Sequence, residues 1–305
     1  MIASSPADIL RFLADAPGEG VLVTLTGIEG SSSRALGAQM AVRADGSWLG
    51  SFSGGCIEAA VAGEALDVLA AGKGRTVRFG SGSPYLDIRL PCGGGIDLQF
   101  TPRPDRAVLQ SALALLDGRK PALLDIAPDS IALLDEGAAP SGQLLRLKPP
   151  LRIVALGQGE DLTAFVRLAA RFGALLVPLC ADRSSSDMLC AEGLSALHME
   201  RRTQLPDLAS DPWTAWVFLF HDRDWEEFLL PQALAMPGFY HGAIGSPRTR
   251  AARLAALAAK GVDAAAIAAL HGQIGLIPAT RDPATLALSV LAEIVAAYNA
   301  LQAPA

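Results

Sequence analysis

The chain has no basic excess: its 305 residues carry 25 Lys and Arg against 31 Asp and Glu, a net charge of −6. A duplex binder needs a basic footprint, so general nucleic-acid binding is excluded as a class. Nor is there a clean apolar run of the length of a membrane span, about 18 residues. Arg253, Lys260, Asp263 and Glu293 interrupt the most apolar stretches, and membrane insertion is not expected. The opening MIASSPADIL lacks the basic start, apolar centre and small-residue cleavage site of a secretory signal, so a cytoplasmic location is expected. Cysteine is scarce, at positions 56, 92, 180 and 190. Four are too few for a disulfide scaffold at this length, and a reducing cytosol would keep them as free thiols. No CxxC pair or close His/Cys cluster suggests a structural zinc site. His198, His221, His241 and His271 lack metal-ligand spacing.

What is present describes a folded chain. Hydrophobic residues make up 51% and charged residues 18%, which excludes disorder. The length allows two domains with a core each. Ser5-Pro6 before ADILRFLADA predicts a capped helix with Ile9, Leu10 and Leu13 on one face. VLVTLTGIEG reads as a strand, and residues 39–50 as a hairpin turning at Asp45-Gly46. IEAAVAGEALDVLAAG has helical spacing up to Gly72, and TVRFG and GIDLQF read as further strands. Residues 101–150 are less patterned, with a helix expected over 107–116 and short strands at PALLDIA and QLLRLKP. Prolines at 102, 104, 149 and 150 bracket that stretch and place a boundary near 150. The expected domains are 1–150, with 105–150 attached on the weakest signals, and 151–305.

Beyond Pro150 the pattern changes to strand, helix, strand: LRIVALGQGED, LTAFVRLAARFG, ALLVPLCADR. This is a βαβ unit with a right-handed parallel crossover. The fold class is therefore α/β, a mixed α/β N-terminal domain followed by a Rossmann-like parallel-sheet C-terminal domain. Gly157-Gln158-Gly159 lies at the strand-to-helix turn, where a dinucleotide fold places a pyrophosphate, and Asp182 lies where a ribose-binding acid is expected. Gly157, Gly159 and Asp182 are thus candidate nucleotide residues. Leu162 stands at the third glycine position, and Glu160-Asp161 put two carboxylates where a phosphate would sit. His221-Asp222 follows a strand at the ligand-binding end of such a sheet, where a loop-bonding role competes with a functional one.

Two cysteine-plus-glycine loops carry the sharper signal. In GSFSGGCIEAA, Ser53, Gly54 and Gly55 precede Cys56 at the start of a helix. Successive N–H groups there can form an anion-binding nest, thiols at helix N-termini are favoured as thiolates, and thiolates suit transition metals. The same residues also describe a buried cysteine packed behind a glycine turn, and the chemistry alone leaves both open. LPCGGGIDL repeats the arrangement with Cys92, Gly93 and Gly94 before a strand, where a bulged strand start competes with a close-approach site. GSSSRALGAQM adds hydroxyls and Arg34, whose guanidinium matches phosphate or carboxylate; taken alone the segment reads first as a solvated loop with one surface arginine.

Together these segments resemble the XdhC/CoxI family, accessory proteins for molybdenum hydroxylases such as xanthine dehydrogenase. The resemblance spans most of the chain in order. Residues 30–40 resemble the family's glycine-serine-serine-proline-arginine loop, GSFSGGCIE its SGGCxE signature and LPCGGGIDL its CGG segment. DR at 182–183, HD at 221–222, YHGAIGSPR, IGL at 274–276 and the SVLAEI tail also have counterparts. Ser33 stands where proline is usual, Gly157-Gln158-Gly159-Glu160 replaces a commoner glycine-alanine-glycine-histidine, and His271-Gly272-Gln273 lacks the proline usual before IGL.

The resemblance implies a chaperone, and not an enzyme with its own turnover, that binds the molybdenum cofactor (molybdopterin or its dinucleotide form). Such a chaperone assists sulfuration and insertion of the cofactor into a molybdenum hydroxylase apoenzyme, with a cysteine desulfurase as a further partner. Carried over, Cys56 and Cys92 are candidates to contact molybdenum or its dithiolene sulfurs. Gly54, Gly55, Gly93 and Gly94 would supply backbone contacts alongside Ser53. Arg34 would make an anion contact, and Glu58 would be a nearby acid or helix-start stabiliser. Two rivals remain: an NAD(P)-dependent oxidoreductase using the second domain, and a non-catalytic scaffold joining a cysteine desulfurase to its client. A homodimer is compatible with the fold class, but no residue argues for it.

Overall fold

The computed structural model describes residues 4–16, 18–83, 93–221 and 223–301. Two compact units divide the chain, essentially Ala3–Pro149 and Pro150–Gln302.

In the first unit, helix α1 (Pro6–Ala14) begins at Ser5. The Ser5 hydroxyl accepts the Asp8 N–H at 3.2 Å, and the Ser5 N–H donates to the Asp8 carboxylate at 2.8 Å, a reciprocal cap that fixes where the helix starts. Its buried face is Ile9, Leu10 and Leu13, as the spacing predicts. Then follow β1 (Gly20–Glu29), the hairpin β2 (Gln39–Arg43) and β3 (Trp48–Gly50), α2 (Glu58–Ala71), β4 (Arg75–Gly80) and β5 (Gly95–Pro102). The segment 101–150 forms α3 (Arg106–Asp117), β6 (Ala122–Ile126), β7 (Ile131–Leu134) and β8 (Gln143–Leu147). β7 is not legible in the sequence, because its four residues are too few to show a period.

The five-stranded sheet has the order β3-β2-β1-β5-β4 and is antiparallel throughout. Its central strand is covered on both faces. Val21, Val23 and Leu25 pack with Met40, Phe79, Leu98 and the α2 residues Val61, Ala65 and Val68. Leu22 packs on the other face with Leu10, Leu109, Leu113 and Leu124. Each such side chain contributes about 1.5–3 kcal/mol on full burial, which explains why β1 reads as a continuous apolar run. The register pairs Glu29 with Gly95, Gly95 with Gly80, and Met40 with Gly50. Consequently β1, β3 and β4 end, and β2 and β5 begin, towards the same end of the sheet, where β1, β4 and β5 reach further than β2 and β3. The 30–38 loop, the 51–57 loop and residues 81–83 and 93–94 all leave from that end, the loop edge.

The second unit runs β9 (Arg152–Gly157), α4 (Gly159–Phe172), β10 (Leu175–Cys180), α5 (Arg183–Ala191), β11 (Leu197–His198), β12 (Thr214–Leu219), α6 (Arg223–Leu234), β13 (Tyr240–Ala243), α7 (Pro247–Ala259), α8 (Ala264–Ala269), β14 (His271–Gly272) and α9 (Pro283–Ala300). All pairings are parallel, and the order is β11-β10-β9-β12-β13-β14. Counted within this unit the order is 3-2-1-4-5-6, the doubly wound dinucleotide-fold order, with its switch point between β9 and β12. The Rossmann-like reading of the second half is therefore correct. One core lies towards α4 and α9, the other towards α6 and α7. Helix α9 is long and apolar enough by composition to cross a membrane, even with Glu293 inside it. Here Ala287, Val290, Leu291 and Ile294 pack into the first of those cores. Glu293 accepts the Tyr240 hydroxyl at 2.8 Å.

Candidate functional site

The 51–57 loop is organised by one carboxylate. Glu58 is the first residue of α2, and its side chain turns back over the loop that precedes it. One oxygen accepts the N–H groups of Phe52 and Ser53, each at 2.8 Å, and the Ser51 hydroxyl at 2.9 Å. The other accepts the N–H of Gly55 at 2.8 Å, that of Ile57 at 3.2 Å and the Ser53 hydroxyl at 3.0 Å. The two amides left over are also satisfied: Gly54 N–H by the Ser51 hydroxyl and Cys56 N–H by that of Ser53, both at 3.0 Å. Burial alone would push the Glu58 carboxyl up, but the hydrogen bonds from Ser53, Ser51 and Phe52 outweigh it and pull it down to about 2.

This corrects the expectation of an empty amide nest. The nest exists, but an internal anion fills it, so Gly54 and Gly55 do not offer free N–H donors. They offer an open backbone. Both have positive φ, 78° and 121°, and a Cβ on either would meet nothing within 4 Å. Only glycine adopts two such residues in succession at low cost. Cys56 follows them, exposed, so the alternative of a buried cysteine behind a glycine turn does not hold.

Arg34 reaches the same loop. Its Nε donates to the Ser51 carbonyl at 3.1 Å and its Nη1 to the Ser33 carbonyl at 3.2 Å, while Nη2 has no partner among the described residues. Gly94 sits where a Cβ would lie 2.6 Å from the Glu29 carbonyl oxygen and 2.8 Å from that of Ser31. Its glycine is therefore required by packing against the start of the 30–38 loop. Gly93 is exposed and in open space, with φ of 69°. Cys92 lies outside the described residues. Beside this edge Arg78 pairs with Asp97 at 3.2 Å and with Glu29, and donates to the Ser81 carbonyl at 2.7 Å.

The glycine turn of the second unit is occupied from within. Gly159 N–H is shared by the Asp182 carboxylate at 3.2 Å and the Ser185 hydroxyl at 3.0 Å. Asp182 also caps α5, accepting the Ser185 N–H at 2.7 Å. Burial would raise its carboxyl, yet the bonds from Ser185 and Gly159 hold it below the ordinary range. The acid expected to meet a ribose thus spends its oxygens on the turn itself. Gly157 is required by packing, since a Cβ would lie 2.8 Å from the Leu219 carbonyl oxygen. Asp161 in the first turn of α4 holds His221 at 2.7 Å; Asp222 lies outside the described residues. Among the described residues no three His, Cys, Asp or Glu side chains gather as metal ligands.

Comparison with known proteins decides the family. Residues 13–80 match the model of the XdhC and CoxI family, and residues 153–294 that of the XdhC Rossmann domain. The chain is 37% identical over 295 residues to the molybdenum cofactor insertion chaperone PaoD of Escherichia coli (strain K12), covering 94% of this chain and 86% of that protein. The chain belongs to the XdhC/CoxI family. A solved chain described as a xanthine dehydrogenase from Bacillus halodurans superposes with a TM-score of 0.78 over 98% of this chain and 97% of its own, at 20% identity, and so shares the fold.

Within the XdhC/CoxI signature SGGCxE, the acid is the residue whose part was least visible in the sequence. The resemblance implied a nearby acid or a helix-start stabiliser; in the structure it gathers four backbone N–H groups of the loop before its helix. Ser51 was not singled out at all. It donates to Glu58, accepts from Gly54 and carries the carbonyl that holds Arg34. A serine just past β3, seven residues before an acid, leaves no periodic trace.

Proposed function

We propose that this chain binds the molybdenum cofactor and delivers it to a molybdenum hydroxylase, with the cargo held at the loop edge of the first sheet. The observation that carries this reading is the Glu58-filled nest: it satisfies the loop internally and leaves an exposed thiol, Cys56, on two open glycines. An exposed thiol fits a soft metal centre, and the unused Nη2 of Arg34 fits an anionic group on the cargo. The loop amides do not fit a phosphate, because Glu58 already occupies them. Membership of the XdhC/CoxI family and the similarity to a cofactor insertion chaperone support the same reading.

In this scheme Cys56 and, by family resemblance, Cys92 contact the metal or its dithiolene sulfurs. The open backbones of Gly54, Gly55 and Gly93 admit the cargo closely, and Glu58 with Ser53 shapes the loop without touching it. Delivery involves docking on the apoenzyme in the cytoplasm, and sulfuration a cysteine desulfurase. A carrier must protect and still release, which suits micromolar affinity, about −8 kcal/mol.

The test is cofactor retention. The chain is purified anaerobically from cells that make molybdenum cofactor, and bound molybdenum and pterin are assayed in wild type, Cys56→Ala and Cys92→Ala. Near-stoichiometric pterin in wild type, lost in Cys56→Ala, is expected. Absence of pterin from the anaerobic wild type, or full retention in both variants, overturns the proposal.

A further inference from the structure

We infer that Arg78 is a positioning residue for the cargo site of the first unit. It holds the ends of β1, β4 and β5 at the spacing from which the Arg34 loop and the Gly93-Gly94 turn leave, without touching the cargo. The inference rests on the cargo site proposed above. One guanidinium binds all three strand ends. Nε donates to the carbonyl of Ser81, just past β4, at 2.7 Å. Nη1 donates to both oxygens of Asp97, the third residue of β5, at 3.2 Å each. Nη2 pairs with Glu29, the last residue of β1.

These contacts close into a ring. Ser81 N–H donates to the Gly94 carbonyl at 2.9 Å. Gly94 packs against the start of the Arg34 loop, where a Cβ would lie 2.6 Å from the Glu29 carbonyl oxygen and 2.8 Å from that of Ser31. The Glu29 side chain then returns to Arg78. Ser81 and Gly94 stand on either side of the segment that carries Cys92, so the ring fixes where that segment leaves and where it rejoins the sheet. Two glycines make room for the cluster: a Cβ on Gly95 would lie 2.8 Å from Arg78 Nη2, and one on Gly27 would strike the Asp97 carboxylate. Glycine weakens a strand, and ion pairs this open to solvent, 26% exposed at Arg78 and 67% at Glu29, add little stability. Stability therefore does not account for the arrangement. Geometry does, because a planar fork holds several acceptors in set directions, which a lysine ammonium on a flexible stem cannot. The 51–57 loop lies outside the ring and is held by Glu58.

The experiment compares the full-length wild type, Arg78→Lys and Arg78→Met. It reads the urea midpoint, amide hydrogen exchange of the empty chain, and the pterin retained through anaerobic purification from cells that make molybdenum cofactor. Faster exchange at residues 30–34 and 93–95 is expected in both variants, with exchange at 52–57 and the urea midpoint unchanged. Retained pterin should fall about fivefold in Arg78→Met, with Arg78→Lys in between. Equal retention in wild type and Arg78→Met overturns the positioning role and leaves the cargo site standing. Full retention in Arg78→Lys overturns it too, since charge alone would then suffice. A loss of pterin matched by a lower urea midpoint, or by faster exchange at 52–57, reduces Arg78 to a structural residue and overturns the role. If the wild type retains no pterin, the cargo site itself fails and the role falls with it.

Discussion

Glu58 accepts both the backbone N–H and the hydroxyl of Ser53, at 2.8 and 3.0 Å. A residue inside α2 thereby supplies the anion that its own N-terminal loop would otherwise draw from outside. The loop is pre-shaped before any cargo arrives, and this relationship leads to the first prediction.

Replacing Glu58 by Gln removes the charge and puts an amide NH₂ where one oxygen now accepts. At least the Gly55 and Ile57 donors, or those of Phe52 and Ser53, lose their acceptor. The expected cost is about 1–3 kcal/mol, read as a lower urea midpoint. Amide hydrogen exchange at residues 52–57 should speed up while β1 and β5 stay protected. Unchanged protection at 52–57 would refute the account of the loop.

The same carboxylate gives a pH signature. Its folded-state value lies at about 2 against an ordinary 4.5, so its contribution is fully present above about pH 4.5. It is lost as the pH falls from there towards 2. With allowance for solvent screening, the contribution is on the order of 1–2 kcal/mol. The stability gap between wild type and Glu58→Gln should therefore narrow on acidification below about pH 4.5. A gap constant down to the acid limit of folding would be inconsistent with this assignment.

Cys56 and Cys180 should differ sharply in alkylation of the native chain. Cys56 is exposed, whereas Cys180 is buried, and burial, with the nearby Asp182 charge, pushes its thiol up to about 12. Peptide mapping after a short iodoacetamide pulse should find Cys56 modified and Cys180 intact. Cys56→Ser should alter unfolding free energy by no more than about 0.5 kcal/mol, as for other exposed substitutions.

Asp182→Ala removes both the N-cap of α5 and an acceptor of Gly159 N–H. A loss of about 1–2 kcal/mol is expected in the second unit. Because the wild-type turn is satisfied from within, titration with NADH or NADPH should give no saturable fluorescence change. Micromolar binding of either, abolished by Asp182→Ala, would return the oxidoreductase reading to the front.

Much of this was legible in the sequence for local reasons. The start of α1 followed from Ser5 and Pro6, the end of α2 from Gly72, and the β9-α4-β10 unit from a buried strand joined to an amphipathic helix by a glycine turn. The short elements were not legible. β7, β11 and β14 have two to four residues each, and they form only because a neighbouring strand supplies their hydrogen bonds. Helices α7 and α8 are alanine-rich, and such segments carry little periodic contrast.

The sequence by itself determined the family, the fold class and the residue types that could do the chemistry, because glycines, caps and apolar periods act over a few residues. Only the tertiary structure decided which of those residues are available. An acid in the SGGCxE motif can either meet a ligand or fill its own loop, and the choice depends on where a side chain folds back in space. The same holds for Asp182, placed by sequence beside a ribose and by the fold upon Gly159. It holds for Arg253, whose 27-residue separation from Glu226 hides a buried ion pair. Hydrogen-bond satisfaction is settled between segments distant in the chain, and no local pattern records it.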